Sequence, residues 1–133
     1  MASETVISIY TGIDVVLARQ KGRELASELG FTLTDSTLIA TSISELARNI
    51  VLYAKHGEIL IKNSLVGDKI CIVVVARDKG PGIVNIAQAM QDGFSTSGGL
   101  GLGLPGVKRL MDEFNLVSDA NSGTTVTIKK WKR

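Results

Sequence analysis

Between Gly93 and Gly106 the chain reads GFSTSGGLGLGLPG, and no other stretch limits its possible folds as strongly. A segment this rich in glycine cannot hold a regular helix or strand along its whole length. Gly98, Gly99, Gly101, Gly103 and Gly106 free the backbone to turn its N–H groups toward one point. Directly beyond, in VKRLMDEF, Val107, Leu110, Met111 and Phe114 fall at helical spacing. The pattern predicts a flexible loop ending at a helix N-terminus, where unpaired amides and the positive end of the helix dipole favour an anion. The phosphates of a nucleotide are the expected occupant.

The 133 residues read as one domain, residues 1–133, with a core typical of an ordinary globular protein. A net charge of +2 argues against a dedicated nucleic-acid surface. Lys129, Lys130, Lys132 and Arg133 form a local basic cluster, read as a solvated end. The single cysteine, Cys71, lies in the apolar run Ile70 to Val75 and reads as a buried thiol. No apolar run approaches the ~20 residues of a membrane span, and nothing resembles a signal peptide. The expectation is a cytoplasmic protein with no membrane partner.

Thr5 to Tyr10 alternates and is β-branched, so it predicts a first strand. Asp14 is a plausible N-cap for the helix that follows, and Gly30 a plausible terminator. Val16, Leu17, Leu25 and Leu29 would supply its buried stripe, while Arg19 and Arg23, one turn apart, would face solvent or a partner. Asp35 is read as the cap of a second helix, Ser36 to about Ala54, with a broad apolar face of Leu38, Ile39, Ile43, Leu46, Ala47, Ile50 and Val51. Glu45 and Asn49 stand on its edge, four residues apart and hence one above the other. They are either exposed on the helix flank or directed into a polar site, the carboxylate as an activating base and the amide oxygen as a metal ligand.

Glu58 to Asn63 and Lys69 to Ala76 predict two strands joined by a turn at Val66-Gly67-Asp68. The second, apolar on both faces, suits a central position. It runs into Asp78-Lys79-Gly80-Pro81-Gly82, where the acid can accept hydrogen bonds from an amine and the glycines admit a flat ligand. A plain tight turn is the alternative. Ile83 to Gln91 predicts a short helix, and Asn115 to Ser118 with Thr124 to Lys130 a closing hairpin.

A G-x-G-x-x-G pattern occurs at Gly101, Gly103 and Gly106, but without the strand before it that a dinucleotide fold requires. A Walker loop is absent, because Gly106 is followed by Val107. The ordered set is more specific. Glu45-x-x-x-Asn49 lies on a helix and Asp78-x-Gly80-x-Gly82 follows a strand. Gly98-Gly99-Leu100-Gly101-Leu102-Gly103 then precedes a helix, and Gly123-Thr124-Thr125 enters the last strand. This series resembles the four boxes of the GHKL (Bergerat-fold) ATP-binding superfamily.

The resemblance implies an α+β two-layer sandwich, a mixed and mostly antiparallel sheet covered on one face by helices. It implies ATP and Mg²⁺ as cofactors. Asn49 would coordinate Mg²⁺, Asp78 would bind the adenine amino group, and Gly80 and Gly82 would let the backbone pass the base. Residues 93–103 would form a lid, with the Gly99, Gly101, Leu102 and Gly103 backbone at the phosphates and Ser95, Thr96 and Ser97 reaching the γ-phosphate. Thr124 or Thr125 would complete the adenine contact, and Glu45 would be the catalytic base.

Within the superfamily, DVVLARQKGRELASELGF (14–31), ISELARNIVLYAKHGEI (43–59), RDKGPGI (77–83) and GLGLGLPGVKRLMDEF (99–114) are similar to free-standing bacterial partner-switching kinases. Such a kinase phosphorylates Ser or Thr on STAS-domain antagonists of the stressosome and, once released, activates a PP2C-type phosphatase. Docking would use surfaces outside the ATP site, with Arg19, Arg23, Lys108 and Arg109 as candidates. The alternatives are an anti-sigma factor kinase and a non-catalytic ATP-dependent binding module.

Overall fold

A computed structural model describes residues 4–80, 103–119 and 121–133. In chain order these form β1 (Glu4–Ile9), α1 (Gly12–Glu28), α2 (Leu33–Asn49), β2 (Gly57–Val66), β3 (Lys69–Asp78), α3 (Gly103–Leu110), β4 (Glu113–Asp119) and β5 (Gly123–Trp131). One π-helical turn, Ile50–Ala54, extends α2. The expected helix 83–91, and the loop residues Gly82, Ser95, Thr96, Ser97, Gly99, Gly101 and Leu102, lie outside the described residues.

The strands make one sheet in the order β1-β2-β3-β5-β4. All four pairings are antiparallel, so the described sheet contains no parallel pair where a mixed one was expected. The two-layer α+β arrangement is otherwise the expected one. β3 is central, as its doubly apolar sequence requires. The core lies between sheet and helices, where Ile9, Ile59, Ile61, Ile72, Val74, Val126 and Ile128 meet Ile39, Ile43, Leu46 and Val107.

Helix α1 departs from the expected stripe. Val16 and Leu17 are exposed, and the buried positions are Val15, Ala18, Gly22 and Ala26. The reason is proximity to α2: a Cβ on Gly22 would overlap the Ile43 side chain. Only a stripe of small residues lets the two helices come so close. Leu25 and Leu29 do pack against the core edge.

Both helix caps lie three residues before the expected ones. Thr11 is the N-cap of α1, and Asp14 occupies the third helical position, accepting from the Tyr10 and Thr11 amides at 2.8 and 3.0 Å. Thr32 is the N-cap of α2, and its Oγ1 accepts from the Asp35 amide at 3.1 Å. Gly30 does terminate α1, with φ at 88°.

Helix α3 ends at Leu110, before the expected Phe114. Phe114 belongs to β4 and pairs with Ile128. The basic C-terminus is also more structural than a solvated end. Lys130 is buried at 7% exposure, and its Nζ donates to the Leu110 carbonyl at 2.8 Å. Asp35 stands 4.0 Å away as its countercharge. Arg133 makes two hydrogen bonds to Asp112, at 2.7 and 3.1 Å. Cys71 is buried, as its apolar setting predicts.

Candidate functional site

The site forms where the C-terminal end of α2 meets one end of the sheet. Across that end Gly57 pairs with Asp78, Asp78 with Thr124, and Thr124 with Ser118. Residues opposite one another on neighbouring strands share a face. Val74 and Ala76 of β3 belong to the core beneath the helices, as do Val126 and Ile128 of β5. Two-residue alternation therefore places Asp78 and Thr124 on that same helix-covered face. Thr125 pairs with Arg77 and falls on the opposite face. Of the two threonines offered for the adenine contact, the register brings Thr124 to Asp78 and turns Thr125 away. Ser118 joins from β4, with its Oγ 2.8 Å from Thr124 Oγ1.

Glycines let the backbones meet at this end. A Cβ on Gly57 would stand 2.9 Å from Ile50 Cγ2 and 3.0 Å from Asp78 Cβ. One on Gly80 would stand 2.7 Å from Ala54 Cβ and 2.9 Å from Ala54 Cα. Gly80 thus lets the strand end lie against the π-helical turn, a requirement of the protein itself. Gly123, with φ at 82°, has no room for a Cβ beside the Asp78 carbonyl. The Gly80 amide donates to Asp78 Oδ1 at 2.8 Å. Asp78 is half-buried, so its carboxylate remains within reach of a ligand.

The helix side carries Glu45 and Asn49. Glu45 is only 4% exposed, which rules out a solvated flank for it. Its Oε1 accepts from the Gly103 amide at 3.1 Å, and its Oε2 from Arg48 Nη1 at 3.0 Å. The Gly103 amide, expected at a phosphate, is directed to this carboxylate in the structure. Asn49 is half-buried at the last residue of α2, where the helix widens into the π turn. Such turns are frequent at functional sites. Lys55 then ends the helix with φ at 72°.

Two side chains were not among the expected site residues. Arg48 is the ion-pair partner of Glu45. Tyr53 is half-exposed, and burial, followed by the charge of Glu45, raises its phenol above the ordinary value. The four-residue step from Glu45 through Asn49 reaches Tyr53 and was the available signal. For Arg48 the signal was its three-residue offset from Glu45.

Helix α3 is held at both ends by charged side chains from elsewhere, Glu45 at the Gly103 amide and Lys130 at the Leu110 carbonyl. Each charge complements the end of the helix dipole it meets. Arg19, Arg23, Lys108 and Arg109, the docking candidates, are all exposed. Among the described residues no helix is long and apolar enough to cross a membrane.

Residues 34–133 match the family of histidine kinase-, DNA gyrase B- and HSP90-like ATPases. The chain is 53% identical over 133 residues to the serine/threonine-protein kinase RsbT of Bacillus subtilis, covering all of both chains. It is 33% identical over 119 residues to the anti-sigma F factor of Geobacillus thermodenitrificans, covering 85% of this chain and 81% of that one. Among solved structures it resembles the RsbU and RsbW domains of a Mycobacterium tuberculosis protein, with a TM-score of 0.65 and 23% identity. That match covers 100% of this chain and 33% of the other, and supports the fold alone.

Proposed function

The chain belongs to the histidine kinase-, DNA gyrase B- and HSP90-like ATPase family and is a serine/threonine protein kinase, and we propose that it phosphorylates STAS-domain antagonists of a bacterial stressosome. When released from them it activates a PP2C-type phosphatase. The carrying observation is a pair of carboxylates with different surroundings. Asp78 is half-buried at the sheet end, and Glu45 is buried on the helix.

Asp78 accepts from the adenine amino group, with Thr124 beside it. Gly82, Ser95, Thr96, Gly99, Gly101 and Leu102 belong to the same reading and serve the base and phosphates. Asn49 offers a hard amide oxygen, a donor type that fits Mg²⁺, which takes few protein ligands and keeps water and phosphate oxygens. When bound, the ion neutralises phosphate charge. The substrate hydroxyl oxygen bonds to the γ-phosphorus as its proton passes to Glu45. The bond from that phosphorus to the β–γ bridging oxygen breaks, and its electron pair leaves with ADP. A carboxylate oxygen that already accepts one hydrogen bond keeps a lone pair for this proton. The rest of the rate comes from positioning and charge neutralisation. ATP as donor and a free buried Cys71 both suit the cytoplasm.

The test is incubation with Mg-ATP and a STAS antagonist. Phosphoserine or phosphothreonine on the antagonist, abolished by Asp78→Asn, is the expected result. Nucleotide binding without transfer to any STAS partner would leave only an ATP-dependent binding module. The relatives named anti-sigma F factor favour a second reading, in which the chain holds a sigma factor. A stable stoichiometric complex with a sigma factor would establish it.

A further inference from the structure

We propose that Arg48 is a positioning residue for phosphoryl transfer, fixing the orientation of the Glu45 carboxylate. The proposal rests on the reading of Glu45 as the base. The Glu45 side chain is 5% exposed while that of Arg48 is 45% exposed, and they meet at 3.0 Å. A carboxylate this deep is costly without a countercharge. Arg48 supplies one from the next turn of α2, reaching inward from a position that would otherwise be solvated.

The geometry is directional. The Gly103 amide, 58 residues away in sequence, takes Oε1, and Arg48 takes Oε2. Two donors on separate oxygens fix both the position of the carboxylate and the rotation about its terminal bond. The Gly103 amide belongs to the backbone of α3, so only Arg48 is a side chain that can be removed without rebuilding a helix. Arg48 also precedes Asn49 directly, so the pair orients the base beside the residue assigned to the metal. Among the described residues only one guanidinium nitrogen engages Oε2, which leaves that oxygen a second lone pair for the proton.

The test measures kcat, ATP KM, nucleotide affinity and Tm for the full chain with a STAS antagonist. The variants are Arg48→Met, Arg48→Lys, Glu45→Gln and the Glu45→Gln/Arg48→Met pair. Arg48→Met is expected to lower kcat on the order of 10–100-fold, the scale of a misplaced catalytic group, with ATP KM and affinity little changed. Arg48→Lys is expected to recover part of that loss. Adding Arg48→Met to Glu45→Gln is expected to change nothing further, because the group being positioned is gone. If Arg48→Met does not fold, Arg48→Lys carries the test through a smaller kcat loss at unchanged affinity, and wild-type kcat in it overturns the positioning role. Wild-type kcat in Arg48→Met beside an inactive Glu45→Gln overturns the positioning role alone. A parallel loss of ATP affinity also overturns it and assigns the guanidinium to the nucleotide. Near-normal turnover in Glu45→Gln overturns the base assignment itself.

Discussion

The Gly80 amide donates to Asp78 Oδ1 at 2.8 Å, tying one oxygen of the carboxylate to its own loop. Asp78 is therefore a loop constraint, and in the proposed function it is a ligand acceptor as well. Asp78→Asn separates the two roles. Its amide oxygen can still accept from Gly80, but its NH₂ group would face the adenine amino group donor to donor. The fold should survive, with Tm nearly unchanged. ATP affinity should fall by about 1–3 kcal/mol, roughly 5- to 150-fold in Kd. Titration with labelled ATP checks this, and wild-type affinity would remove Asp78 from the adenine site.

Asn49→Ala should abolish the Mg²⁺-dependent part of nucleotide affinity and leave the fold intact. Asn49 is only half-buried, so its loss opens no core cavity. The measurement is ATP titration with and without Mg²⁺. An unchanged Mg²⁺ effect would sink the metal assignment.

Gly123→Ala should destabilise the protein by about 2–4 kcal/mol, because two costs coincide. Gly123 has φ at 82°, and its Cβ would lie 2.7 Å from Lys79 Cα as well as against the Asp78 carbonyl. Urea unfolding gives the value. A change below about 1 kcal/mol would mean the ends of β3 and β5 part easily.

Asp112 gives an acid limb to stability. Hydrogen bonding to the Arg133 side chain, then to the Trp131 amide, with nearby positive charge, holds its carboxyl below the ordinary value. A depressed folded-state value stabilises the protein above the unfolded pKa, about 3.9, and that stabilisation disappears as pH falls through the folded value. Asp112→Asn should therefore be less stable than wild type at pH 7, and the gap should close below about pH 4. Thermal unfolding across pH 2–7 measures it, and a gap independent of pH would show that Asp112 acts without its charge.

Much of the fold was legible because strands and helices repeat at different periods. The alternation of β1 and the apolar run of β3 identify strands directly. The helix caps are ambiguous in the sequence for a local reason. In both Thr11-x-x-Asp14 and Thr32-x-x-Asp35 the threonine and the acid favour a helix start, and either can be taken for the cap. Phe114 was ambiguous in a different way. Its spacing from Leu110 and Met111 suits a helix, yet pairing with Ile128 places it in a strand.

The order of the motifs, the residue types at the site and most of the elements that carry them can be read from the chain alone. These depend on neighbours within a few residues, and local spacing encodes them. Only in the folded chain is Glu45 buried against the Gly103 amide, does Thr124 and not Thr125 share the face of Asp78, and does Lys130 support the end of α3. Each of these is set by packing or strand register between segments distant in the chain. A polar residue on a helix edge carries no local mark of the backbone that will cover it, and adjacent threonines carry none of the register that will separate them.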